Sequence, residues 1–292
     1  MSTDDKKPNR ASGYHGGNVK TVISVEDVNK QAQAIAEPVE LSTIEKLARN
    51  DPFVKIQNLK AGYGKMEILH GLDLQVSSGQ SLCLIGPNGA GKSTILHSIF
   101  GFTNIFSGNI MVGKGDAAVD VTKMTPSEKL KNSGIAYILQ DKSIFPGMTV
   151  EENLWMGGYL LDSTDKAKEA AEKIFSKYNR LAKRRTHAAG VLSGGERRLL
   201  EISRALVMEP EVLLVDEPSI GLEPRFIDMV FEILDDLQNV DGKTIILVEQ
   251  NAKKGLEFSD IGYVLVSGEL AIAGEGDELL ENPDVGRLFL GG

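Results

Sequence analysis

The sequence predicts an α/β fold with three parts: a mainly parallel sheet flanked by helices, an antiparallel β-subdomain, and a helical insertion. Three observations predict it. The apolar runs "SLCLIG", "EVLLVDE" and "TIILVEQ" are short and continuous, the pattern of strands covered on both faces, and helical stretches alternate with them. Ahead of the later two, "FVKIQNL" and "GLDLQV" alternate apolar and polar residues, as half-buried strands do. The middle of the chain, about 125–210, reads mostly helical, and "TVEENLWMGG" opens on Thr149 and Glu152 as a capping box.

Taken from the start, residues 1–50 differ from the rest. They carry seven basic and seven acidic residues, so the whole net charge of −9 belongs to residues 51–292. Tyr14 is their only aromatic, and Gly13, Gly16 and Gly17 loosen the beginning. Such a segment buries too little to offset its ordering entropy, and residues 1–22 are expected to be disordered. "SVEDVNKQAQAIAE" places Val25, Val28 and Ile35 on one helical face, and Ser42 with Glu45 predicts a capping box before "KLARN". Residues 51–292 are expected to form one domain, with a helical subdomain at about 141–208. The tail "IGYVLVSGELAIAGEG" predicts a hairpin turning at Ser267-Gly268.

Composition removes several function classes. Hydrophobic content of 41% and charged content of 25% are those of an ordinary globular protein. The negative balance argues against nucleic acid as a main partner. The basic run "YNRLAKRRTHAAG" is read as a solvated face. The lone cysteine, Cys83, sits inside an apolar run and is expected to pack there; without a second cysteine, a reducing compartment fits. The histidines show no paired metal-ligand spacing. No run approaches the roughly 18 apolar residues of a membrane helix, and "MSTDDKKPNR" lacks the apolar core of a secretory signal.

The chemistry begins at "GPNGAGKST", residues 86–94. Gly86-x-x-x-x-Gly91-Lys92-Ser93 follows a strand and opens a helix, which is the P-loop pattern. Gly86, Pro87, Asn88, Gly89, Ala90 and Gly91 wrap the backbone around a β-phosphate, so that several N–H groups (Pro87 has none) point inward. Lys92 reaches the β- and γ-phosphates, Ser93 ligates Mg2+, and Thr94 continues the helix entry. "VLLVDE" then ends a buried strand in two acids. Both this end and the P-loop lie at the carboxyl edge of one parallel sheet. Asp216 is expected to hold Mg2+ through water, and Glu217 to orient and deprotonate an attacking water.

A second anion site stands at "VLSGGERRLL", where Ser193-Gly194-Gly195 opens a helix with small residues and free N–H groups. "LSGGE" followed by "VLLVDE" resembles the signature of ATP-binding cassette (ABC) ATPases. That resemblance implies a P-loop NTPase core and a head-to-tail dimer, each chain's Ser193 loop reaching the other's γ-phosphate. It also implies that Tyr63 in "AGYGKMEIL" stacks on adenine. Gln140, closing "IAYILQ", would sense Mg2+ and contact a membrane subunit, and Ser219-Ile-Gly221-Leu222 would cross the dimer. The family usually has His where this chain has Gln250, in "ILVEQNA". Gln donates a hydrogen bond but carries no charge, so Gln250 is expected to position the γ-phosphate while Glu217 does the proton chemistry.

Within the family, "LVEQNA", "MTVEENLWMGG", "GYVLVSGEL" and the terminal "LGG" resemble the F-type ATP-binding subunit of branched-chain amino acid importers, across about residues 53–292. The resemblance implies a MgATP hydrolase on the cytoplasmic face of the inner membrane. Its partners would be a second ABC ATPase subunit (the same chain or a relative), two integral membrane permease subunits and a periplasmic or extracellular solute-binding protein. A urea, amide or lipid-linked ABC system, or a soluble non-transport ABC ATPase, remains open at this stage.

Overall fold

The computed structural model describes residues 39–140 and 143–290. The expected disorder of residues 1–22 and the expected helix within 24–37 lie outside the described residues. The first described helix, α1 (Leu41–Leu47), corrects the capping expectation. Its N-cap is Glu40, and the Ser42 hydroxyl donates to Glu40 Oε2 at 3.0 Å instead of capping toward Glu45. The helix places Ile44 and Ala48, four residues apart, on one buried face. The Ala48 and Asp51 carbonyls then accept from Ser77 Oγ, and the Leu47 carbonyl accepts from Gln80 Nε2. Ile44→Ala is expected to lower unfolding free energy by about 2–5 kcal/mol, read as an earlier urea midpoint.

Two sheets follow. Strands β1 (Pro52–Tyr63), β2 (Met66–Ser77), β4 (Asn104–Val112) and β5 (Val119–Asp120) pair antiparallel in the order β2-β1-β4-β5. Strands β3 (Ser81–Ile85), β6 (Ile135–Ile138), β7 (Val212–Asp216), β8 (Thr244–Val248), β9 (Ile261–Val266) and β10 (Glu269–Glu275) form a second sheet, ordered β10-β9-β3-β8-β7-β6. Only the β9–β10 hairpin in that sheet is antiparallel, turning at Ser267-Gly268 as the sequence predicts.

The continuous apolar runs have their reason in the two cores. Cys83, Ile85, Leu213, Val215, Ile245 and Leu247 face one core; Leu82, Leu84, Val212, Leu214, Ile246 and Val248 face the other. Because both faces are covered, polar residues have no place in the middle of these strands. The second core also holds the antiparallel sheet and the helix α2 (Lys92–Phe100). That helix is fixed at its far end by Lys129 of α3 (Pro126–Ser133), whose Nζ donates to the Ser98 and Ile99 carbonyls. A cation there suits the negative end of the helix dipole, although burial pushes the Lys129 pKa down to about 8.

The first core receives the helical insertion: α4 (Val150–Gly157), α5 (Thr164–Lys177), α6 (Asn179–Ala182) and α7 (Gly194–Leu206). Helices α8 (Pro224–Asn239) and α9 (Ala252–Phe258) cover the same face, and α10 (Gly276–Glu281) and α11 (Pro283–Phe289) close the described chain. Thr149 and Glu152 form the predicted capping box at the start of α4.

Candidate functional site

β3 runs directly into the glycine loop. Gly86 has φ of 143°, and a Cβ there would come 2.3 Å from the Leu265 carbonyl oxygen of β9. Only glycine lets the loop leave the sheet at this point. The loop is held from the side by the β9–β10 turn, where Gly268 N donates to the Ala90 carbonyl at 2.9 Å. Its crown, Asn88 and Gly89, is exposed, whereas Ala90, Gly91, Lys92 and Thr94 are buried. Lys92 Nζ donates to the Gly86 and Pro87 carbonyls at 2.8 and 3.0 Å. Burial lowers its pKa, against the opposing pull of Glu217 and Asp216.

Opposite the loop stands the end of β7. Ser93 Oγ donates to Asp216 Oδ1 at 3.1 Å, so the first turn of α2 and the last residue of β7 share one polar point. Asp216 is 7% exposed. Its other oxygen, Oδ2, accepts from the Tyr137 hydroxyl at 2.7 Å. Tyr137 was not singled out in the sequence; the signal was a lone hydroxyl inside the otherwise apolar strand "IAYI". Burial and the Asp216 charge push its phenol pKa up, which keeps it a donor. Its ring packs against Phe100, Phe102 and His97.

Glu217 follows with φ of 44°, a left-handed conformation rare outside glycine. Its N–H donates to the Val248 carbonyl, which ties the end of β7 to the end of β8. Its Oε2 accepts from Gln140 Nε2 and from Gln250 Nε2, each at 2.8 Å. Two glutamines that follow different strands therefore converge on one carboxylate oxygen. Gln140 lies two residues beyond the end of β6, not at its last position as the sequence reading had it. A further residue missed in the sequence is Glu249, 2% exposed, whose Oε1 accepts from Ser219 Oγ at 2.7 Å and Asn251 N at 2.9 Å. It joins the segment after Glu217 to the segment carrying Gln250, and burial raises its pKa.

Tyr63 ends β1, is 44% exposed, and pairs through its hydroxyl with His97 Nδ1 on α2. The structure thus gathers Tyr63, the P-loop, Gln140, Asp216, Glu217 and Gln250 around one edge of the large sheet.

Ser193, Gly194 and Gly195 stand elsewhere, at the start of α7. Among the described residues, a Cβ on Gly194 would meet Leu222 Cδ2 at 3.8 Å and nothing closer. Gly195 is buried, and a Cβ there would come 2.3 Å from Phe226 Cδ1, so its smallness serves packing against α8. Ser193 is less free than the sequence reading held. Its Oγ and N donate to Glu196 Oε2 at 2.9 and 3.0 Å, completing a capping box that S-x-x-E spells out. The N–H groups of Gly194 and Gly195, at the first two helical positions, still have no acceptor inside the helix.

The basic run before this helix is matched by acids. Arg184 meets Glu196, and Arg185 meets Glu151 and Glu172. Cys83 is fully buried in β3, where burial raises its thiol pKa. Among the described residues no cluster of His, Cys, Asp and Glu is arranged to hold a metal by itself.

The sequence pattern that defines the ABC transporter family matches residues 69–220. The chain is 40% identical over 230 residues to the high-affinity branched-chain amino acid transport ATP-binding protein BraG of Pseudomonas aeruginosa, covering 79% of this chain and 96% of that protein. It is 38% identical over 233 residues to the probable branched-chain amino acid transport ATP-binding protein LivF of Archaeoglobus fulgidus, covering 80% and 96%. Its fold is similar to the crystal structure of a nucleotide-free ATP-binding cassette from an ABC transporter, with a TM-score of 0.71, 28% identity, and coverage of 83% of this chain and 100% of that one. A P-loop facing an Asp-Glu strand end, with a Ser-Gly-Gly helix on an insertion and relatives matched over nearly their whole length, places this chain in the ABC transporter family.

Proposed function

We propose that this chain is the MgATP-hydrolysing subunit of an importer for branched-chain or other hydrophobic amino acids. The observation that carries the reading is the convergence of Gln140 and Gln250 on Glu217, beside the Ser93–Asp216 pair. In this reading residues 51–292 form the cassette, about 141–208 its helical part, and residues 1–50 an extension.

The P-loop amides and Lys92 bind the phosphates, and the Lys92 ammonium neutralises charge at the γ-phosphate. Tyr63 offers an exposed ring to the adenine. Glu217 takes the proton of a water held in line with the γ-phosphorus. Gln250, uncharged, fixes the γ-phosphate and the Glu217 carboxylate relative to each other. Ser93 Oγ and Asp216 Oδ1, hard oxygen donors 3.1 Å apart, suit Mg2+, and with Gln140 they would hold it. The ion, when bound, supplies charge stabilisation for the transferring phosphoryl group.

Ser193, with the free N–H groups of Gly194 and Gly195, would meet the γ-phosphate of a second ATPase subunit, either the same chain or a relative. ATP then favours the closed dimer and ADP does not, which couples hydrolysis to a conformational cycle. Two membrane permease subunits and an extracytoplasmic solute-binding protein complete the system. Among the described residues no helix is long and apolar enough to cross a membrane, so attachment to the cytoplasmic face is assigned to those partners.

The test is co-purification with the membrane subunits, identification of the partners by mass spectrometry, and ATP-driven leucine uptake into proteoliposomes. Partners from a lipid or urea system, with no amino acid uptake, would overturn the substrate assignment.

Tyr137→Phe is expected to weaken metal binding about tenfold or more, because partners that orient a metal-binding carboxylate act at this scale. Mn2+ titration followed by electron paramagnetic resonance, with a non-hydrolysable ATP analogue present, checks it.

A further inference from the structure

Arg198, on the second turn of α7, is 3% exposed. Its Nη1 donates to Glu201 Oε2 at 2.9 Å, to the Leu139 carbonyl at 2.7 Å and, more weakly, to the Gln140 carbonyl at 3.4 Å. Its Nε and Nη2 are buried and find no acceptor among the described residues. A guanidinium with two unmet donors is a costly way to stabilise a core, so stability does not explain the residue. Its contacts do. The helix capped by Ser193 holds, through Arg198, the Leu139 carbonyl and, more weakly, that of Gln140, the residue whose side chain reaches Glu217.

Phe145 is held from the insertion too. Asn153 of α4 exchanges two hydrogen bonds with the Phe145 backbone, at 2.8 and 2.9 Å, and Arg204 of α7 lies over the Phe145 ring. Leu139, Gln140 and Phe145 are therefore each held by helices of the insertion. The contacts run from Ser193 along α7 to Arg198, to Gln140 and to Glu217.

We propose that Arg198 is a positioning residue that passes displacements of the Ser193 helix to Gln140 and so to Glu217, linking the two anion sites of one chain. This rests on the ATPase reading above. If the Ser193 end engages a neighbouring subunit's nucleotide, the same rigid helix brings this chain's own Gln140 into register.

The test replaces the buried pair with apolar side chains, Arg198→Met with Glu201→Leu, so that no unpaired charge remains and the fold is kept or strengthened. A non-hydrolysable ATP analogue should bind within about twofold of wild type, while kcat falls about 10- to 100-fold, the scale of a small misplacement near the chemistry. Adding Gln140→Ala should cost much less in this background than in the wild type, because both changes break the same link. Wild-type kcat in the folded paired variant, or fully multiplicative effects with Gln140→Ala, overturns the proposal. If the paired variant does not fold, Arg198→Lys, which keeps a cation beside Glu201, is read by the same criteria. Hydrogen exchange gives a readout independent of turnover: amides around Gln140 should exchange faster in the variant while β7 stays protected. Unchanged exchange there counts against Arg198, whereas a wild-type protein with no ATP turnover counts against the ATPase reading.

Discussion

Glu217→Gln is expected to lower steady-state ATP hydrolysis by about 10²- to 10⁴-fold, the range for removing a positioned general base, with ATP binding intact. The substitution keeps the size and planarity of the side chain and leaves the backbone bond from residue 217 to the Val248 carbonyl in place. An amide oxygen can still accept from Gln140 and Gln250, which now meet on the carboxylate. What is lost is the ability to take a proton from water. Phosphate release measures the fall, and size-exclusion chromatography with ATP should show an associated species that persists because turnover is blocked. Full turnover in this variant, with Gln250→Ala inactive, would move the proton chemistry away from Glu217. The absence of both chromatographic association and any fall in turnover would sink the dimer cycle as well.

Lys92→Ala is expected to weaken ATP binding about 10²- to 10³-fold, since a hydrogen bond to a charged group contributes about 1.5–3 kcal/mol and the ammonium spans two phosphates. The effect differs in kind from that of Glu217→Gln, because affinity itself collapses. Lys92 also holds the Gly86 and Pro87 carbonyls, so a loosened loop adds to the loss. Lys92→Arg does not restore binding, because a planar guanidinium does not fit where a compact ammonium sits under the loop. Calorimetric titration with a non-hydrolysable analogue measures both variants, and a dissociation constant near the wild-type value would remove Lys92 from the phosphate site. Thermal unfolding separates lost binding from lost fold.

Much of this was legible in the residues. The glycine loop, the acids after "VLLV" and the small residues opening α7 are local signals, and each sits where its own stretch of chain predicted. Where reading erred, a competing local choice decided. Ser42 does not cap, because the helix starts two residues earlier, with Glu40 at the N-cap position, and the Ser42 hydroxyl turns back to the Glu40 carboxylate. Ser193 turned out to be capped by Glu196, a pattern visible in "SGGE" but passed over in favour of the glycines. Tyr137 and Glu249 escaped because their partners are distant in the chain. Nothing near Tyr137 announces Asp216, 79 residues away.

The classes of element, the buried strands, the P-loop and the membership that follows from them are written locally in the residues, because periodicity and turn chemistry act over a few positions. That Gln140 and Gln250 share one oxygen of Glu217, across separations of 77 and 33 residues, comes from the fold. The same holds for Arg198, which reaches back 59 residues to the Leu139 carbonyl. The physical reason is strand order. β6, β7 and β8 lie side by side, so their carboxyl ends deliver Gln140, Glu217 and Gln250 to one place, and the adjacency comes from packing both faces of the sheet rather than from any local pattern.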